Sequence, residues 1–450
     1  MDYKINETHN CNEPKILRGI TIIVVLYMIL FVVFFRSIIV TGDPVGYYSW
    51  VRSFIIDGDL NISNEFEHYN MGNFPKNLKG VYPAQPWAIG SAILWSPFFV
   101  IAHVTVILTK YIGLNLEPDG YSLLYRFMVG LGSTLYALSG LIIIYFLIRK
   151  YFEDKVAILS VISLWLASPL IYYMCCSPLY SHANDLFAYS LILLCWYRTG
   201  VYRRLGEYVL LGASAGLSAM IRTQNAIIVV FIVGYLIASV LLKKRRLREG
   251  LAQVIVFSLA WWVTFFPQLY VWKQTFGEWF PGSPYASFGG SFHFGFPWVL
   301  QVMFSDNRGL FVWHPLLLFG VLGWYFLIKK DQHLTLFFLA SFILQLAIIG
   351  SWNSWHGAHA FGQRFFVNLV PAFMFGLAAL LNEFKKIVSI KVITFFCLVF
   401  ILWNFILIIQ FALETVPREG PTNLSAFVKN QFLVIPYHIT RILEAWWKRH

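Results

Sequence analysis

Long runs of hydrophobic residues, separated by short polar stretches, dominate the pattern along this chain. Several windows of roughly 18–25 residues are almost free of charge, which is enough for a helix to cross a hydrocarbon core about 30 Å thick. The pattern therefore predicts an all-α polytopic membrane protein, in which polar stretches connect helices that cross the bilayer. The hydrophobic segments lie near residues 17–40, 86–109, 121–148, 156–176, 184–197, 206–221, 226–242, 251–272, 310–328, 333–350, 366–382 and 391–413.

Composition agrees with this class. Of the 450 residues, 58% are hydrophobic and 12% are charged, whereas a soluble domain carries about 25% charged residues. The formal net charge of +12 could indicate a nucleic-acid partner, but the positive residues lie in short connectors, where they orient membrane helices. We therefore expect the lipid bilayer as a partner and no nucleic acid.

Neither the cysteines nor the N-terminus indicates a functional site. No cysteine has the spacing of a metal ligand and most lie in hydrophobic runs, so neither a disulfide framework nor a zinc site is predicted. Lys15 and Arg18 precede the first hydrophobic run, and no small-residue cleavage site follows it. We expect an uncleaved first helix rather than a signal peptide.

The basic connectors predict the topology. If every segment crossed from a cytoplasmic N-terminus, all five connectors would fall outside, against the positive-inside rule. If segment 86–109 lies in the outer interface instead, all five return to the cytoplasm, and its two prolines and two tryptophans suit an interfacial helix. We predict about 11 transmembrane helices, with the N-terminus inside and the C-terminus outside. The connectors are Arg149-Lys150 with Lys155, Arg198 with Arg203-Arg204, residues 243–248, Lys329-Lys330, and Lys385-Lys386 with Lys391.

This topology places the polar loops that carry candidate catalytic residues on the outer side. The inner loops hold little beyond basic residues, whereas the outer loops at 177–185, 273–309 and 351–365 carry acids, arginines and histidines. We predict one transmembrane catalytic domain over residues 1–413, with a first outer loop at 41–120 that carries juxtamembrane helices. Residues 414–450 are expected to form a short outer amphipathic tail.

Five ionisable residues at the outer ends of the segments are the strongest candidates for function: Asp43, Arg126, Asp185, Arg308 and Arg364. Charged groups at membrane depth or at its edge are costly, and they tend to pair or to mark a functional path. Arginine suits bidentate binding of a phosphate, and a carboxylate suits a general base for an incoming hydroxyl. The combination indicates group transfer from a lipid-borne phosphate ester.

Other polar residues leave two interpretations open. Asp57 and Asp59 are either turn and cap acids or ligands of a divalent cation, the one cofactor that the sequence suggests. His356 and His359 either cover apolar surface at the interface or help to bind an anion. Arg222 either marks a helix break between two short spans or reaches a buried anionic group.

Six stretches resemble the GT-C glycosyltransferases, polytopic enzymes that take sugars from polyprenyl-phosphate donors. The likeness is to the branch with the protein O-mannosyltransferases and the bacterial lipid A aminoarabinose transferases, glycosyltransferase family 39. It covers most of residues 15–410, although the stretches are short. They are TGDPVGYYSW (41–50), YPAQPWAIGSAILWSPFFVIAHV (82–104), GYSLLYRFMVGLGSTLYALSGLIIIYFLIRKYF (120–152), SPLYSHANDLFAYSLILL (177–194), SDNRGLFVWHP (305–315) and WHGAHAFGQRFFVNLVP (355–371).

The resemblance implies roles for individual residues. Asp43 matches the general base that activates the acceptor, Asp185 matches the second acid of the site, and Arg126 matches the arginine that faces them. Residues 414–450 are much shorter than the C-terminal outer domain of some family members, so the resemblance does not name the acceptor. The implied donor-phosphate residues are Arg308, Arg364, His356 and His359, and the residues expected near the acceptor are Tyr47, Tyr48 and His182.

Together these expectations describe a membrane glycosyltransferase. It would move a monosaccharide, with inversion, from a polyprenyl-phosphate donor to a hydroxyl of a glycan, lipid or protein acceptor, on the outer face of a bacterial or archaeal plasma membrane. The alternative is a transporter or lipid flippase, but transporters usually show an internal repeat and ionisable residues at the midplane. We find no repeat and, apart from Arg222, no such residue. A non-catalytic polymerase or ligase partner would need a larger outer loop than 273–309.

Overall fold

The computed structural model describes residues 13–39, 42–72, 76–202, 204–242 and 246–434. Within these ranges the chain is helical, and its extended pairings are two isolated backbone bridges, Lys76–Ala84 and Phe292–Trp352. Short 3₁₀ and π-helical turns connect the helices. In chain order the α-helices are α1 (Glu13–Phe34), α2 (Asp43–Arg52), α3 (Ser63–His68), α4 (Gly90–Thr109), α5 (Leu123–Ile148), α6 (Asp154–Leu166), α7 (His182–Tyr202), α8 (Leu205–Ile221), α9 (Ile227–Leu241), α10 (Leu247–Phe276), α11 (Val299–Phe304), α12 (Leu310–Trp313), α13 (Leu316–Leu327), α14 (Gln332–Ser351), α15 (Val370–Phe384), α16 (Ile390–Ala412) and α17 (Leu424–Lys429).

In the part of the chain that the structure describes, eight helical segments are long and apolar enough to cross a membrane. The predicted all-helical, polytopic class is therefore confirmed. The number of about 11 crossings and their orientation stay predictions. The eight segments are Pro14–Phe34, Gly90–Thr109, Leu123–Ile148, Thr223–Leu241, Leu247–Phe276, Gln332–Ser351, Arg364–Phe384 and Ile390–Ala412.

The chain forms two compact units. Unit one consists of Met1–Lys150 and Tyr173–Gly290, and unit two of Tyr151–Tyr172 and Ser291–His450. The division does not follow the predicted boundary at residue 413, because the described part of the tail belongs to unit two. Of the predicted amphipathic tail, the structure shows α17 and a π-helical turn to Val434; residues 435–450 lie outside the described residues, as do residues 203 and 243–245 of the basic connectors.

The first helix ends earlier than the hydrophobic pattern predicts. α1 stops at Phe34, and the amide of Arg36 donates to the carbonyl of Cys175 at 3.0 Å, outside the helical pattern. Asp43 is therefore not at the end of the first span but is the first residue of α2. The chain enters α2 through Gly42, whose φ of 75° favours glycine, and Pro44 in the first turn suits a helix start.

The position of α4 bears on the prediction that segment 86–109 does not cross. α4 packs along α2, with Tyr47 against Trp95 at 6.5 Å and Tyr48 against Phe99 at 5.9 Å between ring centroids. The third residue of α5, Tyr125, meets His103 at 2.7 Å. The middle of α4 thus lies beside the beginning of α5, as an interfacial helix would, although α4 is long enough to cross. The interfacial placement stays a prediction.

Unit two is built around a close crossing of α13 and α15. A Cβ atom on Gly323 would lie 1.8 Å from the carbonyl oxygen of Gly376, so the two backbones are in direct contact. Beside this crossing Trp324 donates from Nε1 to the carbonyl of Ala372 at 2.9 Å and stacks on Phe373. Small residues at such crossings let membrane helices pack closely without a hydrophobic driving force.

Candidate active site

Three arginines are buried among the described residues: Arg52, Arg222 and Arg308. A guanidinium group keeps its charge in a protein and carries five N–H donors, so each of these side chains needs acceptors around it. The acceptors differ in kind and in distance. They distinguish arginines that hold the fold together from one that is suited to bind a ligand.

Arg52 braces the first outer loop. From the last turn of α2 its Nη1 donates to Glu65 Oε1 at 2.8 Å and to Asp57, and its Nε donates to the carbonyl of Asp119 at 2.8 Å. The guanidinium also lies 4.4 Å from the centre of the Tyr121 ring. These contacts tie α2 to both ends of the loop, which fixes the orientation of the helix that begins with Asp43.

Burial governs the charge of Glu65. Its side chain is fully buried, and burial raises its pKa to about 7, although the hydrogen bond and the positive charge of Arg52 act in the opposite direction. The second oxygen, Oε2, has no hydrogen-bond partner in the described residues. Protonation of this loop carboxyl is therefore expected near neutral pH.

Asp57 and Asp59 have the partners of ordinary loop acids. Asp57 accepts from Arg52 and from Asn64 Nδ2 at 2.9 Å. Asp59 Oδ1 accepts from Ser53 Oγ and from the amide of Asn61, both at 2.9 Å, the pattern of an Asx turn. No group of three or more His, Cys, Asp or Glu residues in the described ranges is arranged to hold a metal ion. These contacts favour the turn-and-cap interpretation of the two acids.

Arg308 in unit two is surrounded by backbone. It is fully buried and has a φ of 63°, a left-handed conformation that is uncommon for residues with a side chain. Its five N–H groups all have acceptors within the chain, so a phosphate would have to displace them. This geometry gives Arg308 a structural task and not the predicted donor-phosphate contact. The acceptors are the carbonyls of Ala360 (2.7 Å), Pro417 (3.1 Å), Arg418 and Gly420 (3.3 Å) and Oδ1 of Asn307 (2.6 Å).

Arg222 in unit one occupies a helix break. α8 ends at Ile221, Arg222 itself is extended with φ −144° and ψ 114°, and a 3₁₀ turn, Thr223–Ala226, leads into α9. This confirms the predicted break in the sequence AMIRTQN. At such breaks in membrane helices, free backbone groups and a helix N-terminus create sites for charged ligands.

Four contacts of Arg222 are longer than most of those of Arg308. Its Nη1 lies 3.2 Å from Ser181 Oγ and 3.4 Å from His182 Nδ1, and its Nη2 lies 3.4 Å from Gln224 Oε1. The charge is balanced by Asp185, whose Oδ2 is 3.7 Å from Nε. Hydrogen bonds weaken at these distances, so a phosphate oxygen at the usual 2.7–2.9 Å of a charged pair would form a stronger contact.

Asp185 holds this arrangement together. In the first turn of α7 its Oδ1 accepts from Asn225 Nδ2 at 2.5 Å, while its Oδ2 faces Arg222. Asn225 also donates to Ser218 Oγ at 3.0 Å. Because both carboxylate oxygens have partners, the geometry suits Asp185 to position Arg222 rather than to accept a proton from a substrate.

The other residues matched to the catalytic site also lie in unit one. Asp43 is half-buried at the start of α2. Arg126, in the first turn of α5, is half-buried with an Nε that has no hydrogen-bond partner in the described residues. The positive charge of Arg126 acts on Tyr48 and Tyr69, whose pKa values are raised chiefly by burial, so Arg126 lies close to α2.

The residues expected near the acceptor are in the protein interior instead. Tyr47 and Tyr48 are 2% and 0% exposed and belong to the hydrophobic core of unit one, with Tyr48 donating to the carbonyl of Gly120 at 2.6 Å. They pack against α4 and do not offer a ring face to a substrate, which corrects the expectation for them. His182 is also fully buried, between Tyr173 and Tyr180 and beside Arg222.

The remaining residues predicted to bind the donor phosphate lie between α14 and α15 in unit two. Arg364 begins the 3₁₀ turn that leads into α15, and its Nε would lie 3.0 Å from a Cβ atom on Gly357. Burial, and then the charge of Arg308, lowers the pKa of His356. His359 is exposed and pairs with Glu419 at 2.8 Å. Their role in donor binding stays a prediction.

Sequence reasoning did not group Arg222 with Asp185 and Asn225. Arg222 and Asn225 are three positions apart, the spacing of one helical turn, but Asp185 is some 40 residues earlier. A signal was nevertheless present, since two ionisable residues stand at the ends of neighbouring hydrophobic segments, where membrane proteins tend to pair such groups.

Two solved structures resemble this chain at low identity. ArnT from Cupriavidus metallidurans in the apo state is 12% identical, with a TM-score of 0.49 over 92% of this chain and 75% of that chain. The archaeal oligosaccharyltransferase AglB from Archaeoglobus fulgidus, in complex with an inhibitory peptide and a dolichol-phosphate, is 14% identical with a TM-score of 0.48, over 91% of this chain and 56% of that one. The chain thus spans little more than half of the AglB chain. No curated protein matches the sequence.

A family model gives the more specific result. Residues 125–270 match the model described as dolichyl-phosphate-mannose-protein mannosyltransferase, and this range contains Arg126, Asp185 and Arg222. The match confirms the resemblance inferred from the sequence motifs. Residues 125–270, about a third of the chain, are therefore similar to this mannosyltransferase family.

Proposed function

We propose that this protein transfers a monosaccharide, with inversion, from a polyprenyl-phosphate donor to a hydroxyl acceptor on the outer face of the membrane. Asp43 acts as the general base, and Arg222 binds the donor phosphate. The observation that carries the proposal is the buried Arg222–Asp185 pair at the break between α8 and α9, inside the range that matches the mannosyltransferase family. A lipid-borne phosphate is the anion that can reach an arginine among membrane helices.

The reaction follows from these roles. The acceptor oxygen forms a bond to the anomeric carbon of the sugar from the side opposite the phosphate, and its proton passes to the Asp43 carboxylate. The bond between the anomeric carbon and the phosphate oxygen breaks, and polyprenyl phosphate leaves with the electron pair. Arg222 stabilises the charge that grows on the leaving phosphate, where a fixed cation in a dry site is most effective.

Asp185 serves this reaction indirectly. Its two oxygens hold Asn225 and Arg222, so it sets the direction of the guanidinium and balances its charge when no donor is bound. Arg126, whose charge acts on Tyr48 of α2, is proposed to face Asp43 across the site, in line with its predicted place facing the acids.

The test is transfer by the purified protein in nanodiscs, with synthetic polyprenyl-phosphate sugars and membrane glycolipid extracts as acceptors. Free polyprenyl phosphate should appear with the wild type. Asp43→Asn should abolish its release while the protein stays folded, and Asp59→Asn, which alters another loop acid, should retain it. Full activity of Asp43→Asn would rule out the proposed base. No turnover of any donor by the wild type would count against the transferase itself.

The helix break at Arg222 also favours a second candidate, transport of a charged lipid, because transporters build their binding sites at such breaks. The same assay separates the two. A transporter would move the labelled lipid between leaflets without releasing free polyprenyl phosphate.

A further inference from the structure

A long segment of the chain has no charged residue and yet forms no membrane span. Between Glu278 and Asp306 the sequence contains no Asp, Glu, Lys or Arg, and it is rich in phenylalanine and glycine. In unit two its later part, residues 291–304, is bound to the C-terminal end of α14. The amides of His293 and Trp298 donate to the carbonyls of Ser351 and Gly350 at 2.6 and 3.0 Å, respectively.

The first residues of this part have two different faces. Side chains alternate along an extended backbone, and Ser291 Oγ lies 3.2 Å from His293 Nε2 on one side. On the other side Phe292 stacks with Trp352 at 6.3 Å, and Phe294, in the turn that follows, is 83% exposed. The polar face is thus separated from an aromatic face that the protein leaves uncovered.

The apolar surface continues into the next helix. Leu300 and Phe304, one turn apart on α11, are 68% and 52% exposed, whereas Val302 between them is buried. Phe296 adds a further exposed ring at 49%. Soluble surfaces rarely expose so many large apolar side chains together, and the segment carries no charge that would resist transfer into lipid.

The length of α14 indicates at which depth in the membrane the segment lies. This helix has 20 residues, which gives a length of about 30 Å, the thickness of a hydrocarbon core. Gly350 and Ser351 are its last residues, so they lie at the boundary between hydrocarbon and headgroups. Since residues 291–298 bond to them directly, the exposed rings lie at that same level.

We propose that residues 291–304 form an interfacial anchor that inserts Phe294, Phe296, Leu300 and Phe304 among the lipids of the bilayer. The partner is the lipid surface itself, continuous with the lipid-facing side of α14. Phenylalanine and leucine are typical of the apolar face of segments that lie in the membrane interface, and an amphipathic segment without charge on its apolar face suits a non-spanning insertion. The inference does not depend on the transferase mechanism or on which leaflet is outer.

The test is the collision of spin labels with relaxing agents in nanodiscs. Phe294→Cys and His293→Cys lie at adjacent positions, the first with an exposed ring and the second beside Ser291, and each carries a nitroxide. Unsubstituted protein treated in parallel corrects for labelling of the native cysteines. The label at 294 should collide several-fold more with oxygen, which partitions into lipid, than with a water-soluble nickel chelate. The label at 293 should show the reverse preference.

Equal access of the nickel chelate to both positions would overturn the proposal, as would spin–spin broadening at 294, which would indicate a second copy of the chain on this face. Leu300→Cys provides a second probe on α11, so that the result does not depend on the folding of one variant. A lipid signal at 300 supports the proposal, and an aqueous signal there contradicts it.

Discussion

At the scale of single residues, the three buried arginines show that burial alone does not identify a functional cation. Arg52 contacts two carboxylates and a carbonyl, Arg308 contacts four carbonyls and an amide oxygen, and Arg222 has one carboxylate at 3.7 Å and neutral partners at 3.2–3.4 Å. Short contacts to backbone acceptors hold a fold together. Longer contacts beside a helix break leave room for a stronger ligand.

This difference predicts opposite effects of the same substitution. Arg222→Lys should lower kcat/KM for donor turnover by about 100-fold, because lysine cannot bind a phosphate through two parallel hydrogen bonds, while thermal stability changes little. Arg308→Lys should instead destabilise the protein by about 2–4 kcal/mol, because three donors cannot serve the five acceptors that surround the arginine. The measurements are steady-state kinetics and thermal unfolding in detergent. Loss of stability in the first variant and of turnover alone in the second would reverse the assignment.

Glu65 predicts a pH dependence of stability. Burial raises its pKa from 4.5 to about 7, so the native state keeps a proton that the unfolded state releases, and stability falls as pH rises through this window. At about 1.4 kcal/mol per pKa unit, the effect is at most about 3.5 kcal/mol. Glu65→Gln removes the titration and keeps an acceptor for Arg52.

The difference in unfolding midpoint between the wild type and Glu65→Gln should therefore change between pH 5 and pH 8. At the higher pH the midpoint of the wild type should fall relative to that of the variant. Asp59→Asn, which changes a half-buried turn acid in the same loop, serves as the control and should follow the wild type in parallel. If the wild type and Glu65→Gln also run parallel, Glu65 does not titrate in this range.

At the scale of helices, the crossing of α13 and α15 depends on glycine. A Cβ on Gly323 would clash with the Gly376 backbone at 1.8 Å, and a backbone cannot rotate away as a side chain can. Gly323→Ala should therefore force the helices apart and destabilise unit two by about 1–3 kcal/mol, as overpacking does. Gly234→Ala on α9 is the matched control, since nothing lies within 4 Å of its added methyl.

The control substitution should stabilise the protein by up to about 1 kcal/mol, because alanine is the better helix former. Thermal unfolding of both variants in the same detergent measures the contrast. Effects of the same sign and size would show that the crossing tolerates a wider separation than its geometry indicates.

At the scale of the whole molecule, the predicted topology requires both ends of α4 to lie on one side of the membrane. Contacts across α4 support this, because Tyr48 and Arg52 before the helix bond to the carbonyls of Gly120 and Asp119 after it. Cysteines at Glu67 and Glu117, which are exposed on either side of α4 in the sequence, should both react with a membrane-impermeant maleimide in intact cells.

A cysteine at Lys150, in the first basic connector, should react only after the membrane is permeabilised. The unsubstituted chain measures background labelling of the native cysteines. Labelling of Glu67→Cys and Glu117→Cys from opposite sides would mean that α4 crosses, and the count of about 11 crossings would then have to be revised together with the placement of all basic connectors.

The sequence by itself determined the class of the protein, the approximate extent of its helices and the existence of the break at Arg222. These features depend on residues close together in the chain: a bilayer selects for local hydrophobic composition, and a helix ends where nearby residues bond elsewhere. The family resemblance rested on local motifs for the same reason. The early end of α1 was missed because the amide of Arg36 bonds to Cys175, about 140 positions away.

Only the tertiary structure decided which charged residues are enclosed by backbone acceptors and which lie beside a helix break. Arg308 was expected to bind the donor phosphate until the carbonyls of residues 417–420, some 110 positions later, were found around it. Tyr47 and Tyr48 looked like surface rings until α4 was seen to cover them. Acceptors and packing partners come from distant parts of the chain, and no local pattern specifies their distances.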